Sequence, residues 1–171
     1  DLLGVYQKKN LNTAYHAIKK LNNFSIEDMH FEKGFLNVVN NTSLQGRYHV
    51  LQNNPKVICD TAHNKEGLQE VFGQIRTEKF NNLHIVLGVV NDKNLEEILP
   101  LFPKFAKYYF CKPNVPRGLS AFQLQKKASQ YQLKGGIFNS VNEALVKAKS
   151  NSEPNDLVYV GGSTFVVAEV V

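Results

Sequence analysis

An aspartate, a histidine and an asparagine follow a short apolar run within residues 55–68, PKVICDTAHNKEGL. Val57, Ile58 and Cys59 stop at Asp60; Thr61, Ala62, His63 and Asn64 come next, and a helix-compatible stretch begins. A carboxylate at such a strand end can hold ribose hydroxyls or a cation, or it can simply brace a turn or cap a helix. An imidazole such as that of His63 can donate to a carboxylate or move a proton; a plain surface histidine is the competing reading. Two other stretches end the same way: Asn91-Asp92-Lys93 after the run 84–90, and Gly161-Gly162-Ser163-Thr164 after 157–160. The glycine and hydroxyl turn suits a carboxylate or phosphate, although a helix start explains Ser163 or Thr164 equally well. Asp92 and Lys93 could pair with each other as a solvated turn. Arg117 lies in a loop with two prolines and could grip an anion with both arms of its guanidinium. Arg47 precedes the main strand and could reach a phosphate presented by a second domain.

Those residues need elements to place them. Between 11 and 21, apolar residues recur at helical spacing and predict an amphipathic helix over about 10–22, with Asn10 or Asn12 as its N-cap. Ser25 and Asp28 are spaced as a capping-box variant, and the polar stretch 37–43 marks a domain junction near 40–45. Residues 46–51 read as a short strand, 52–55 as a turn and 56–60 as the main strand. Leu68, Val71, Phe72 and Ile75 then recur at helical steps. The alternation of strand and helix continues, with strands at 84–90, 108–111, 136–138 and 157–160. Gly88 within one of them implies a close approach. His49 and His84 sit in strands and read as packing or edge residues. This order predicts an α/β, three-layer Rossmann-like domain: a mostly parallel sheet with helices on both faces, preceded by a helical remnant of an upstream domain. Parallel strands bring the three polar endings to one edge, where open α/β sheets bind ligands.

Composition bounds the function. The 43% hydrophobic content supports a real core in 171 residues, and the net charge of +5 is mild. The lysines are scattered, which argues against nucleic acid and is compatible with a small anionic ligand. No apolar stretch approaches the roughly 18 residues of a membrane span, and 1–10 lack the pattern of a signal peptide. Cys59 and Cys111 have no metal-ligand spacing; one disulfide between them is an open alternative, and buried thiols in a reduced, cytoplasmic protein are the simpler reading. We expect no metal site within the chain. No glycine-rich dinucleotide or Walker loop occurs, so a nucleotide's main phosphate cradle would lie elsewhere. The chain begins at Asp1 without a methionine and reads as a piece of a longer protein.

GRYHVL (46–51), ICDTAHN (58–64), LGVVNDKN (87–94), Arg117 after KPNVP, and VYVGGSTFVVAEV (158–170) together resemble one family. It is the C-terminal part of folylpolyglutamate synthase / dihydrofolate synthase, in the Mur ligase superfamily. YQKKNLNTAYHAI (6–18) resembles the end of that family's central ATPase domain. The resemblance implies residues 1–43 as the tail of the ATPase domain and 44–171 as the glutamate ligase domain. It implies ATP and Mg²⁺ as cofactors, and L-glutamate and folate or dihydropteroate as substrates. ATP would phosphorylate the folate-side carboxylate, and the amine of glutamate would attack the acyl phosphate. By similarity Arg47 would lie near the phosphates, Asp60 near the ribose and Asn10 near the adenine. His63 and Ser163 would position the incoming glutamate, with Arg117 and Lys93 as weaker candidates. The family commonly has Gly where Thr61 stands and Pro where Lys65 stands, and the latter change could alter the helix start. The resemblance implies that this stretch alone, lacking a P-loop, has no ligase activity. Its partner would be the rest of the parent chain, in a monomer. Two alternatives stay open from the residues: a non-catalytic anion-binding module, and the corresponding domain of a peptidoglycan ligase with UDP-linked substrates.

Overall fold

The computed structural model describes residues 1–171. Three helices come first: α1 (Gln7–Ile18), α2 (Asp28–Leu36) and α3 (Val38–Thr42). There follow β1 (His49–Asn53), β2 (Lys56–Asp60), α4 (Lys65–Ile75), β3 (Leu83–Leu87) and α5 (Leu95–Ile98), the last continued by a 3-10 turn (Leu99–Leu101). The remainder is β4 (Lys107–Phe110), α6 (Ala121–Ser129), β5 (Gly135–Ile137), α7 (Val141–Ser150), β6 (Leu157–Gly161) and α8 (Thr164–Val167). One sheet has the order β1-β2-β6-β3-β4-β5. Every neighbouring pair is parallel except β1 with β2. The expected α/β three-layer architecture is therefore present.

Period-2 alternation splits the sheet's side chains between two cores. Ile58, Ile85, Tyr108 and Tyr159 face α4, α5 and α6, where Leu68, Phe72, Ile98 and Leu124 are buried. Val57, Val86, Val158 and Val160 face α7 and α8, where Val141, Ala144 and Val166 are buried. β6 is the last strand in the chain, yet it is seated between β2 and β3. All five of its residues are buried, as are all five of β3. Strands buried on both faces read as near-continuous apolar runs, which is why 83–87 and 157–161 stand out in the sequence.

Some local expectations are corrected. Neither Asn10 nor Asn12 caps α1. The chain turns earlier, with Gln7 N–H donating to the Gly4 carbonyl (2.9 Å) and Lys9 N–H to that of Tyr6 (3.1 Å). Backbone carbonyls thus serve the first-turn amides, and Asn10 instead donates to Gln7 Oε1 at 2.8 Å. The cap of α2 is Glu27 rather than Ser25, with His30 Nδ1 accepting from the Glu27 N–H at 3.0 Å. The strand expected from 46 begins at His49, because Gly46 (φ 73°) and Tyr48 (φ 50°) are left-handed. Gly88 lies just after β3, and close approach is found there. A Cβ on it would sit 2.8 Å from Val166 Cγ2 and 3.0 Å from the Cys111 carbonyl oxygen. Lys65 does not disturb the start of α4, since Asn64 Oδ1 accepts from the Gly67 N–H at 2.9 Å.

At the opposite end of the sheet from the polar loops, His84 is fully buried in a hydrogen-bonded chain. Asn151 Nδ2 donates to the Tyr109 hydroxyl (3.1 Å), which lies 2.9 Å from His84 Nδ1. His84 Nε2 lies 3.3 Å from Asp156 Oδ2. A neutral ring satisfies this chain: Tyr109 donates to Nδ1, and the Nε2 proton goes to the carboxylate. Burial, with Lys107 nearby, holds the imidazole below its ordinary range despite the aspartate. Burial pushes Asp156 up, but hydrogen bonds from Glu153, Asn82 and His84 outweigh it and leave the carboxyl low. Below the ordinary histidine range, about pH 6.5, the unfolded chain takes a proton that folded His84 refuses. Its contribution to stability therefore falls as pH drops, and Asp156 adds a further loss in more acid solution. Denaturant melts of wild type and His84→Gln between pH 7 and 5 check this. The wild type should lose more stability over that interval than the variant, and parallel slopes would refute the assignment.

Candidate active site

Register brings the polar endings level. Asp60 of β2 and Leu87 of β3 both pair with Gly161 of β6. The loops 61–64, 88–94 and 162–163 therefore emerge side by side at the carboxyl edge. The loop after β4 joins them through a bridge between Val90 and Gly118 and a hydrogen bond from the Asn91 N–H to the Arg117 carbonyl (2.8 Å).

Two adjoining clefts result. One, of about 360 Å³, is lined by Tyr6, Asn10, Arg47, Asp60 and His63 among others. The other, of about 80 Å³, is lined by His63, Lys93, Arg117, Ser163, Thr164 and Phe165 among others. His63 belongs to both. The seven residues singled out in the sequence thus divide into two groups: Asn10, Arg47 and Asp60 on one side, and Lys93, Arg117 and Ser163 on the other, with His63 between.

Asp60 is 1% exposed. Its Oδ2 accepts from the Tyr6 hydroxyl (2.6 Å) and the Tyr48 N–H (2.6 Å), and its Oδ1 accepts from the Ala62 N–H (2.7 Å). One carboxylate so ties the segment before α1, the approach to β1 and the loop after β2. Burial raises its pKa, while the Tyr6, Ala62 and Tyr48 hydrogen bonds and the Arg47 charge oppose that rise. The same burial and the facing carboxylate push the Tyr6 phenol well above its usual range, so it is a firm donor.

Arg47 donates to Thr61 Oγ1 at 2.6 Å and is otherwise open to the cleft. Thr61 thus gives the guanidinium a resting partner. His63 Nδ1 lies 2.9 Å from the Thr61 carbonyl oxygen. A carbonyl only accepts, so Nδ1 carries the proton; in the neutral ring Nε2 is an acceptor.

Asp92 pairs with Arg117 (3.1 Å), not with Lys93 as a self-contained turn. The two lie on different loops that the Val90–Gly118 bridge holds together. Arg117 also stacks over the Phe165 ring at 4.8 Å. Ser163 is buried and caps α8, its Oγ accepting from the Phe165 N–H at 3.2 Å. Gly161 and Gly162 are demanded by packing as well as by any ligand. A Cβ on Gly161 would fall 2.4 Å from the Tyr159 hydroxyl. Cys59 and Cys111 are free and buried, and burial pushes each thiol up to about 12, so neither is a nucleophile. No three carboxylate, imidazole or thiol groups converge to hold a metal ion, and no helix is long and apolar enough to cross a membrane.

Tyr6, Thr61 and Phe165 shape the clefts without having been singled out in the sequence. Tyr6 and Asp60 are 54 residues apart, and no local pattern links them. Thr61 and Phe165 stand inside the motifs that were noticed, yet their roles depend on arginines from other loops.

Residues 46–164 match the family described as Mur ligase, glutamate ligase domain. The chain belongs to this family. Among curated relatives, a dihydrofolate synthase/folylpolyglutamate synthase of Escherichia coli is 30% identical over 75% of this chain and 30% of its own length. A probable bifunctional folylpolyglutamate synthase/dihydropteroate synthase of Haloferax volcanii is 29% identical over 98% of this chain and 20% of its own. The chain therefore spans a fifth to a third of the length of these relatives. Among solved structures, E. coli FolC in complex with DHPP and ADP superposes with a TM-score of 0.82 at 26% identity. That match covers 94% of this chain and 37% of the other. The matched stretch contains the cleft residues Arg47, Asp60, His63, Lys93, Arg117 and Ser163.

Proposed function

We propose that this chain is the nucleotide- and amino-acid-facing part of an ATP-dependent ligase that joins L-glutamate to folate or dihydropteroate. The observation that supports this reading best is the pair of clefts meeting at His63, one beside Arg47 and the other beside Arg117 and Ser163. Similarity to folylpolyglutamate and dihydrofolate synthases favours a folate-type acceptor over a UDP-linked one.

In the reaction, a carboxylate oxygen of the acceptor attacks the γ-phosphorus of ATP and ADP leaves. The amine of glutamate then attacks the acyl carbon, the C–O bond to phosphate breaks, and an amide and inorganic phosphate result. Arg47 would leave Thr61 for the phosphates, where its charge offsets the negative charge that spreads in the transition state. Asp60 would face the ribose with its remaining acceptor capacity, and Asn10 the adenine. Ser163 and Arg117 would hold the glutamate carboxylates, with Lys93 nearby. The Nε2 of neutral His63 would accept a proton from the glutamate ammonium, freeing the nitrogen lone pair for attack. Mg²⁺, when bound, would screen the phosphate charge; its ligands would come from the rest of the parent protein, since no three ligating groups converge here. In our reading residues 1–43 are the tail of the upstream ATPase domain, residues 44–171 are the glutamate ligase domain, and the parent is a cytoplasmic monomer.

Steady-state kinetics of His63→Ala in the full-length parent test the assignment. Losing a hydrogen bond to a charged ligand costs about 1.5–3 kcal/mol, so KM for glutamate should rise about 10- to 100-fold with KM for ATP little changed. The reverse pattern would place His63 on the nucleotide side and overturn this reading.

A further inference from the structure

Which end of its side-chain amide Asn10 turns to the larger cleft is fixed by a chain of polar groups that starts at Asp60. An ionised carboxylate only accepts hydrogen bonds, and one of the three that Asp60 accepts comes from the Tyr6 hydroxyl (2.6 Å). A hydroxyl has one proton, so the Tyr6 oxygen is left with acceptor capacity alone. Burial and Asp60 raise the Tyr6 phenol, while Arg47 and a hydrogen bond from the Gln7 side chain oppose that rise. The part of Gln7 that meets Tyr6 is therefore its NH2 group, which leaves Oε1 for Asn10. That oxygen accepts from Asn10 Nδ2 at 2.8 Å. Each group hands its polarity to the next, and Asn10 ends the chain with its carbonyl oxygen free. Asn10 is exposed and lines the cleft beside Tyr6, Arg47 and Asp60.

Helical spacing explains why Gln7 and Asn10 meet, since residues i and i+3 share a face, but it leaves both amides free to flip. Burial removes that freedom. Gln7 is 6% exposed, and a buried amide keeps the orientation that satisfies both of its ends. A flipped Gln7 would set its carbonyl oxygen against a phenol oxygen with no proton to give. An amide oxygen facing a base edge accepts from an exocyclic amine and repels an exocyclic carbonyl. We infer that Gln7 is a positioning residue that locks the Asn10 amide with its oxygen toward the nucleobase, so that the site discriminates an amino-purine from an oxo-purine. This rests on the nucleotide reading of the larger cleft.

Values of kcat/KM with ATP and with inosine triphosphate, measured on the full-length parent, test it, because inosine carries a carbonyl oxygen where adenosine carries the amine. The wild type should favour ATP by about tenfold, one hydrogen bond made against one pair of opposed acceptors. Gln7→Met keeps the length of the side chain but neither end of the amide, so Asn10 turns freely. The preference should then fall to about twofold, with inosine triphosphate used better than by the wild type and ATP used worse. A general loss of structure would lower both values alike. Tyr6→Phe removes the oxygen that orients Gln7 and should move the ratio in the same direction by about two- to threefold; it decides the matter if Gln7→Met does not fold. A ratio unchanged in the folded variants overturns the proposal. Asn10→Ala separates this failure from that of the nucleotide reading. If it abolishes the preference while Gln7→Met keeps it, the base sits at Asn10 and the role of Gln7 is refuted. If it leaves KM for both nucleotides unchanged, no base sits there and both readings fall.

Discussion

Asp60→Ala should lower the stability of the chain by about 2–4 kcal/mol, seen as a fall in denaturant midpoint with little change in slope. The variant leaves the Tyr48 N–H buried with no acceptor, and it frees the Tyr6 hydroxyl and the Ala62 N–H. Tyr6 and Ala62 are partly exposed and can turn to water; Tyr48 is 2% exposed and cannot. The pH dependence has a definite sign. Burial raises the Asp60 pKa in the folded chain, so the folded state holds this proton more firmly than the unfolded one. The favourable contribution is complete below the ordinary carboxylate range, about pH 4, and is lost as pH rises through the folded value. The gap between wild type and Asp60→Ala should therefore be widest in acid and narrow toward neutrality. A gap that widened toward neutrality would mean that the ionised carboxylate is the stabilising form. This is opposite in direction to the His84 and Asp156 effect, and single substitutions separate the two.

Gly162→Ala should be comparably damaging for an unrelated reason. Gly162 has φ 94°, where a side chain costs about 1–3 kcal/mol. A Cβ would also lie 2.5 Å from Leu87 Cδ1 and 2.7 Å from the Gly88 carbonyl oxygen. Leu87 can rotate; the backbone carbonyl cannot, and overpacking of this kind adds about 1–3 kcal/mol. A fall in the thermal midpoint of about 4–24 °C is expected from these costs of about 2–6 kcal/mol together, at roughly 2–4 °C per kcal/mol for a chain of this size. Gly73→Ala is the control. Nothing lies within 4 Å of its added Cβ in the exposed face of α4, and alanine there should stabilise by about 0.5–1 kcal/mol. Equal midpoints for Gly162→Ala and wild type would show that the turn relaxes freely.

What could be read from the sequence follows the range of the interactions. β2, α4, β3 and β6 were legible because burial on one or both faces writes itself into consecutive residues: Val57-Ile58-Cys59, or Leu68, Val71, Phe72 and Ile75. The shared edge was legible because parallel strands end together. The caps of α1 and α2 were misplaced by two to six residues, since backbone carbonyls or the Glu27 and His30 pair do the work there, and Asn10 and Asn12 only resemble caps. The Asp92 and Arg117 pair and the Tyr6 and Asp60 bond join residues 25 and 54 positions apart. The His84 and Asp156 contact spans 72 positions. Such pairs depend on strand order, and no local periodicity encodes that order.

The seating of β6 between β2 and β3 has a consequence for how the protein comes into being. A ribosome delivers β2, α4, β3, β4 and β5 first, and until β6 arrives the two halves of the sheet have no strand to join them. Each half then presents an open edge at what will become the middle of the molecule. The strand that closes this gap leads directly into Gly162 and Ser163. Assembly of the sheet and assembly of the small cleft that holds Ser163 are therefore one event, and a nascent chain stopped short of β6 would have neither.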